Sequence, residues 1–119
     1  MIASQSKWDR GKFKEFIVRK KKYSPRVAGN IASRCAHIER ALTVDLIHET
    51  SCNNNYINLL IKISEYVDKK GTSSYQVRFM GGMYRTAVRN FAEFNVGKKS
   101  YDYPTGYLFG QHHLKKIIK

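Results

Sequence analysis

The amino-acid sequence predicts an all-α protein: a compact four-helix bundle formed by residues 1–96, followed by an aromatic-rich tail, residues 97–119. Three observations support this prediction. Apolar residues recur at helical spacing in four segments, helix start signals precede those segments, and glycine, proline or asparagine clusters separate them. A chain of 119 residues, 42% of them hydrophobic, suits one domain with one core.

The first helix is predicted from about Trp8 to Lys20. Ser6 and Asp9 have the Ser-x-x-Asp spacing of a helix start. Its apolar face consists of Trp8, Phe13, Phe16 and Ile17. The basic run 20–22 suits the negative end of a helix dipole, and Pro25 then ends the helix because proline keeps the preceding residue out of the helical region.

The second helix is predicted to run from Ser24 to about Leu42. Ser24 suits the N-cap and Pro25 suits the first helical position, because proline lacks the N–H that would be unsatisfied there. A buried stripe is predicted at Val27, Ile31, Cys35, Ile38 and Leu42. Arg26, Arg34 and Arg40 fall largely off this stripe.

The third helix is predicted from about Asn55 to Lys70, after a polar loop at 53–55. Leu46 and Ile47 are expected to extend the core through a short turn before that loop. The apolar residues of this helix are too many for one stripe, which indicates the central helix of the bundle. Gly71 is expected to end it as a left-handed cap.

The fourth helix is clear from Met83 to about Asn95. Gly81-Gly82 leaves residues 75–80 ambiguous between helix and extended chain, because glycine weakens a helix interior. Arg85 and Arg89 are one turn apart, with Arg78 two turns earlier if the helix begins at Ser74. The tail beyond Gly97 has non-helical character and is interpreted as a hairpin, an ordered tail or a linker.

The charge of the chain predicts a polyanionic partner. Twenty-two Lys and Arg against nine Asp and Glu give a net charge of +13. Such a surface binds a phosphate backbone favourably because each contact releases condensed counterions. Solubility, an anionic membrane surface and a ribosomal or protein partner with an acidic face are the alternatives. Nucleic-acid contacts are predicted in two zones. They are Lys20, Lys21, Lys22, Ser24 and Arg26 at the first helix junction, and Arg78, Arg85, Arg89, Lys98 and Lys99 around the last helix.

Recognisable catalytic chemistry is missing from the sequence. The nine acidic residues are scattered, with no acid pair suited to two-metal phosphodiester cleavage. Cys35 and Cys52 have no Cys-x-x-Cys spacing, the adjacent His112 and His113 point apart, and His37 is expected to be partly buried and hydrogen-bonded. The sequence therefore predicts no enzyme, no metal and no cofactor. No apolar run approaches the length of a membrane span, which predicts a soluble, cytoplasmic protein.

The order of these signals resembles the N-terminal core-binding domain of tyrosine recombinases and phage integrases. The segments that carry the resemblance are 13–17, 23–26 and 84–94. That family implies a four-helix, SAM-like fold that grips one face of duplex DNA, with contacts at Ser24, Arg26, Arg85 and Arg89. The recombinase catalytic residues have no counterpart in the tail, and segment 75–82 is longer than the family pattern, so recombination is not implied.

The leading functional prediction is a non-enzymatic module that binds double-stranded DNA mainly through phosphates, with base contacts from the last helix. A protein partner or a missing downstream domain is left open. One alternative is a small metal-independent basic nuclease or RNase toxin that uses His112 or His113. The other is an interaction protein that docks on a nucleoprotein complex.

Overall fold

The computed structural model describes residues 8–97, all of whose regular secondary structure is helical. The elements are α1 (Arg10–Lys21), α2 (Pro25–Leu42), α3 (Leu46–Glu49), α4 (Asn53–Lys70) and α5 (Ser74–Val96). The all-α class is confirmed for this range. Ser6 and the predicted tail beyond Gly97, which includes Lys98, Lys99, His112 and His113, lie outside the described residues. No helix within residues 8–97 combines the length and apolarity needed to cross a bilayer.

Side-chain caps set the helix starts. Asp9 caps α1 by accepting a hydrogen bond from the Lys12 N–H at 3.0 Å. Ser24 caps α2 in the same way, accepting from the Val27 N–H at 3.2 Å with Pro25 at the first helical position, as predicted. Asp45 caps α3, a short helix where the sequence indicated only a turn.

Gly71 ends α4 at the predicted place but not in the predicted conformation. Its φ is −73°, which is extended rather than left-handed. The residue is glycine for a different reason: a Cβ at this position would clash with Cγ2 of Val77 at the start of α5. The left-handed conformation occurs instead at Gly97, with φ 72°, which ends α5.

The core of α2 lies on a face slightly rotated from the predicted stripe. Ile31, Cys35 and Ile38 are buried as predicted, and Leu42 is half-buried. Val27 is exposed, and Ala28 fills the core at that end of the helix. Val27 lies about 90° around the helix from the centre of the buried face, since each residue turns the helix by about 100°.

The helix that contacts all the others is α5, not α4 as predicted. Its aromatic rings contact those at the start of the described chain. The Phe91 ring centroid lies 5.1 Å from the ring centroid of Trp8 and 5.3 Å from that of Phe13. Phe94 adds contacts to Phe13 and Phe16. α5 continues without a break through Gly81-Gly82, where the sequence was ambiguous, because packing on both sides outweighs the low helix propensity of glycine.

Candidate nucleic-acid interface

The connection between α1 and α2 carries a cluster of exposed basic residues. Lys20, in the last turn of α1, and Lys22, in the left-handed C-cap position, are both exposed. Ser24 and Arg26 follow at the exposed start of α2. Tyr23 is half-buried against the core and anchors the connection. The structure therefore brings four of the predicted contact residues together on one short, anchored segment.

Lys21 differs from its two neighbours. Its Nζ lies 2.8 Å from Oε1 of Glu93 on α5, and the two side chains are 23% and 10% exposed. The Lys21 charge is therefore compensated inside the protein, where the pair ties the end of α1 to α5. Only Lys20 and Lys22 of the basic run present free-standing ammonium groups to solvent.

Arg85 lies in the protein interior and not on a solvent-exposed helix face. It is 5% exposed, and its Nε has no hydrogen-bond partner among the described residues. Burial lowers the pKa of its guanidinium. A Cβ at Gly81, one turn earlier, would lie 2.8 Å from the Arg85 Nη1, so this glycine leaves room for the guanidinium.

Arg85, Arg89 and Glu93 follow one another at one-turn spacing on the same face of α5, opposite Tyr56 of α4. Arg89 is half-buried and its Nε is shielded from solvent. Burial raises the pKa of the Tyr56 hydroxyl most, while the arginines oppose that rise and Glu93 adds to it. This face is a buried charged seam that joins α5 to α1 and α4.

Arg78 lies far from the α1–α2 connection. It is exposed in the second turn of α5, fifteen positions before Glu93, or about 22 Å along the helix axis. Arg78, the first member of the second predicted zone, is thus at the opposite end of α5 from the α1–α2 connection. Between Arg78 and Glu93 the charged residues of α5 belong to the buried seam, and none of them is exposed.

The exposed side of α2 forms a polar face that the sequence interpretation did not identify as a site. It comprises Arg26, Asn30, Ser33, Arg34, His37 and Arg40, within about a third of the helix circumference. Arg10 of α1 joins it by donating from Nη2 to the Ser33 Oγ at 2.6 Å. Glu39 points elsewhere and accepts from the Leu46 N–H at 3.0 Å. The spacing of the arginines off the apolar stripe was the available signal for this α2 polar face.

His37 connects the α2 polar face to two tyrosines. Its Nε2 lies 3.0 Å from the Tyr66 hydroxyl, and its ring stacks on Tyr84 with centroids 5.7 Å apart. The pKa of Tyr84 is raised, mainly by burial and then by Tyr66, while Arg34 opposes the rise. The prediction that His37 is partly buried and hydrogen-bonded is confirmed, and the cluster joins α2, α4 and α5.

Within residues 8–97, no three His, Cys, Asp or Glu side chains lie close enough to hold a metal ion. Cys35 is buried and its thiol donates to the Ala87 carbonyl oxygen at 3.3 Å, and burial raises its pKa. Cys52 is exposed. Comparison with protein-family models, with curated proteins and with solved structures finds no match to this chain.

Proposed function

We propose that this chain is a non-enzymatic DNA-binding module that grips duplex DNA mainly through phosphate contacts. The observation that carries the proposal is a row of cations from the exposed α1–α2 connection onto the α2 polar face, all exposed except the half-buried Arg34. Lys20, Lys22 and Arg26 lead directly into Arg34 and Arg40 on the same helix. We further propose that the helices form the SAM-like arrangement of recombinase core-binding domains, in which this side would face the duplex.

The dimensions of α2 suit a duplex groove. Arg26 and Arg40 are fourteen positions apart, or about 21 Å along the helix. The DNA major groove is about 12 Å wide. The two arginines would reach phosphates on either side of the groove, while Asn30, Ser33 and Arg34 between them would face base edges.

In this proposal Arg85 and Arg89 of the last helix support the DNA-binding surface indirectly. Arg85 is 5% exposed and Arg89 is half-buried beside the Lys21–Glu93 pair. These arginines would raise the positive potential behind the α1–α2 connection while α2 makes the groove contacts. Lys98 and Lys99 remain predicted phosphate contacts.

The proposal is tested by fluorescence anisotropy of a labelled duplex over a salt series. If about five cations contact phosphates, log K falls with log salt concentration with a slope of about −4.5. The variant R26A/R40A should bind at least tenfold more weakly than wild type and show a slope about two units shallower. Its charge-matched control is K12A/K62A, which removes two exposed cations outside the α2 polar face.

Undetectable or salt-independent binding by the wild type would overturn the proposal. Equal losses in the two double variants would show that total charge, and not the α2 polar face, determines binding.

The His37 cluster favours a second candidate function, metal-independent nuclease activity. His37 is paired with Tyr66 and stacked on Tyr84, and Arg34 is close enough to affect the Tyr84 hydroxyl. Such groups can supply a general base and a cation for a phosphodiester. RNA and DNA are incubated with protein and a chelator, using His37→Ala and, as control, the exposed His48→Ala. Cleavage lost only in His37→Ala would support this function, and no cleavage by wild type would reject it.

A further inference from the structure

The first turns of α5 expose two aromatic rings away from the core. Tyr75 is 71% exposed and Phe79 is 55% exposed. They lie one turn apart, and their rings are stacked, with centroids 6.1 Å apart and planes inclined by 11°. A single exposed aromatic residue is ordinary, but two nearly parallel rings on one helix offer ring faces in a common orientation, on which a further ring can stack.

Basic and hydroxyl-bearing groups surround this aromatic pair. Arg78 lies between the two rings in sequence, on the same side of α5, and is exposed. Lys69 and Lys70 are exposed in the last turn of α4, which the short connection 71–73 joins to α5. A shallow groove next to the pair is lined by Asp68, Gly71, Thr72, Ser73, Ser74, Val77 and Arg78. Asp68 is thus an acidic group within a mainly cationic rim.

Local hydrogen bonds hold this end of α5 in place. Ser73 caps the helix by accepting from the Gln76 N–H at 3.1 Å. The Gln76 Oε1 accepts in return from the Thr72 N–H at 2.7 Å and from its hydroxyl at 2.8 Å. Gly71 packs closely against Val77. The aromatic pair therefore stands on a capped and packed helix end, so binding a ligand there requires little ordering of the chain.

We infer that Tyr75 and Phe79 form a stacking platform for unpaired nucleobases, with Arg78, Lys69 and Lys70 holding the adjoining phosphates. Every base has a π face, so an aromatic platform with a cationic rim binds single strands with little sequence preference. A protein partner fits less well, because two rings supply at most about 500 Å² of contact area where a stable protein interface needs about 800 Å² per partner. The inference rests on the proposed function that the chain binds DNA, and it adds a second site for single-stranded nucleic acid.

This platform is separate from the surface proposed for the duplex. Tyr84, which stacks on His37 of the α2 polar face, lies nine positions after Tyr75, or about 180° around the helix, so the two surfaces are on opposite sides of α5. A substrate that carries both a duplex and a single-stranded extension would therefore engage both sites, and its affinity would exceed that of either part alone. Substitutions of the aromatic pair should leave duplex binding intact.

The test compares two labelled DNA probes by fluorescence anisotropy at fixed salt. One is a blunt duplex, and the other is the same duplex with a single-stranded extension of about ten nucleotides, within the site sizes of stacking proteins. Wild type should bind the extended probe about tenfold more tightly than the blunt probe. The variant Y75A/F79A should lose that preference and bind the blunt duplex within about twofold of wild type. Y75F/F79Y, which keeps both rings, is the matched control and should retain the preference.

A fluorescent 2-aminopurine in the extension gives a direct readout of stacking. Its emission should be quenched on binding wild type and Y75F/F79Y, and not on binding Y75A/F79A. Both rings are exposed, so the variants should keep the helical circular-dichroism spectrum and Tm of wild type.

The outcomes separate this inference from the proposed function. If wild type binds the blunt duplex but shows no preference for the extension, or if Y75A/F79A keeps the preference, the platform is overturned and the proposed function stands. If the extended probe binds through the two rings while the blunt duplex does not bind, the platform stands and the duplex function is overturned. A concentration-dependent dimer in sedimentation, lost in Y75A/F79A, would overturn the platform by assigning the rings to a second copy.

Discussion

The two halves of α5 carry similar residues in opposite surroundings. Arg78 and Phe79 in the first half are exposed, whereas Arg85 and Phe91 in the second half are buried. The second half makes side-chain contacts with α1, α2 and α3 and faces Tyr56 of α4, while the first half extends from the α4–α5 connection with one face to solvent. The contrast shows that residue type and helical spacing do not assign an arginine to a binding surface, since only the neighbouring helices determine which face is covered.

The largest contrast is expected for phenylalanine. Phe91→Ala should lower the free energy of unfolding by about 4 kcal/mol, because a fully buried ring is replaced by a cavity. Phe79→Ala, the same change in the exposed half, should alter it by less than about 0.5 kcal/mol. Urea denaturation measures both, and a comparable loss in the two variants would contradict the difference between the halves.

The second largest effect on stability is expected for the buried Lys21–Glu93 ion pair. Glu93→Gln leaves the Lys21 ammonium without its carboxylate at a site where both side chains are largely buried, and should lower the free energy of unfolding by about 3 kcal/mol. Glu15→Gln removes the exposed Glu15–Arg19 pair, with side chains 63% and 73% exposed, and should have no measurable effect. Stabilities that fall equally in these variants would show that the seam is not energetically distinct from the surface.

Alkaline pH should destabilise the fold through Tyr56 of α4, which faces the second half of α5. Burial raises its folded-state pKa above the unfolded value of 10.0, so the unfolded state loses the proton first and stability falls as pH rises past about 10. Between the two pKa values Tyr56 contributes a slope of about −1.4 kcal/mol per pH unit. Tyr56→Phe should remove that slope, and Tyr75→Phe, at an exposed position, should not. Denaturation midpoints measured from pH 9 to pH 11 give the comparison.

The smallest effect is expected at the glycine pair that joins the two halves. Gly82→Ala should stabilise the protein by up to about 1 kcal/mol, because its Cβ would enter open space and alanine favours a helix. Gly81→Ala should destabilise it, since the new Cβ forces the buried Arg85 guanidinium to move. Thermal denaturation should therefore shift Tm in opposite directions, and a rise in both variants would show that the Arg85 guanidinium moves freely.

Much of the helical framework was predictable because its signals are local. Ser24 and Pro25 set the start of α2 through one hydrogen bond and one missing N–H, and neither depends on the rest of the chain. For α1 the prediction was two residues early: Asp9, expected three positions into a start signal at Ser6, is itself the N-cap, and the helix begins at Arg10 and not at Trp8. Gly71 was misread and Gly81 left ambiguous because each makes room for a nearby side chain, Val77 and Arg85, whose placement is set by packing and not by local propensity.

The features of the candidate sites also divide into those that local sequence predicts and those that depend on tertiary contacts. The basic run at the α1–α2 connection was evident from sequence, because a connection between helices is exposed almost by definition. The neutralisation of Lys21 by Glu93 was not, since these residues are 72 positions apart. The α2 polar face was signalled only by arginines off the apolar stripe, and the Tyr75–Phe79 pair by nothing, because helical spacing groups residues on a face without saying which face another helix covers.

By itself the sequence determined the all-α class, the ends of α2, the large positive charge and the exposed lysines beside Ser24, because each depends on local propensity or on composition. The tertiary structure decided which helix is central, which arginines reach solvent and which aromatic rings stay uncovered. Burial is a property of contacts between segments far apart in the chain, and α5 illustrates it: Arg78 and Arg85 lie on one continuous helix, yet only Arg85 is enclosed by its neighbours.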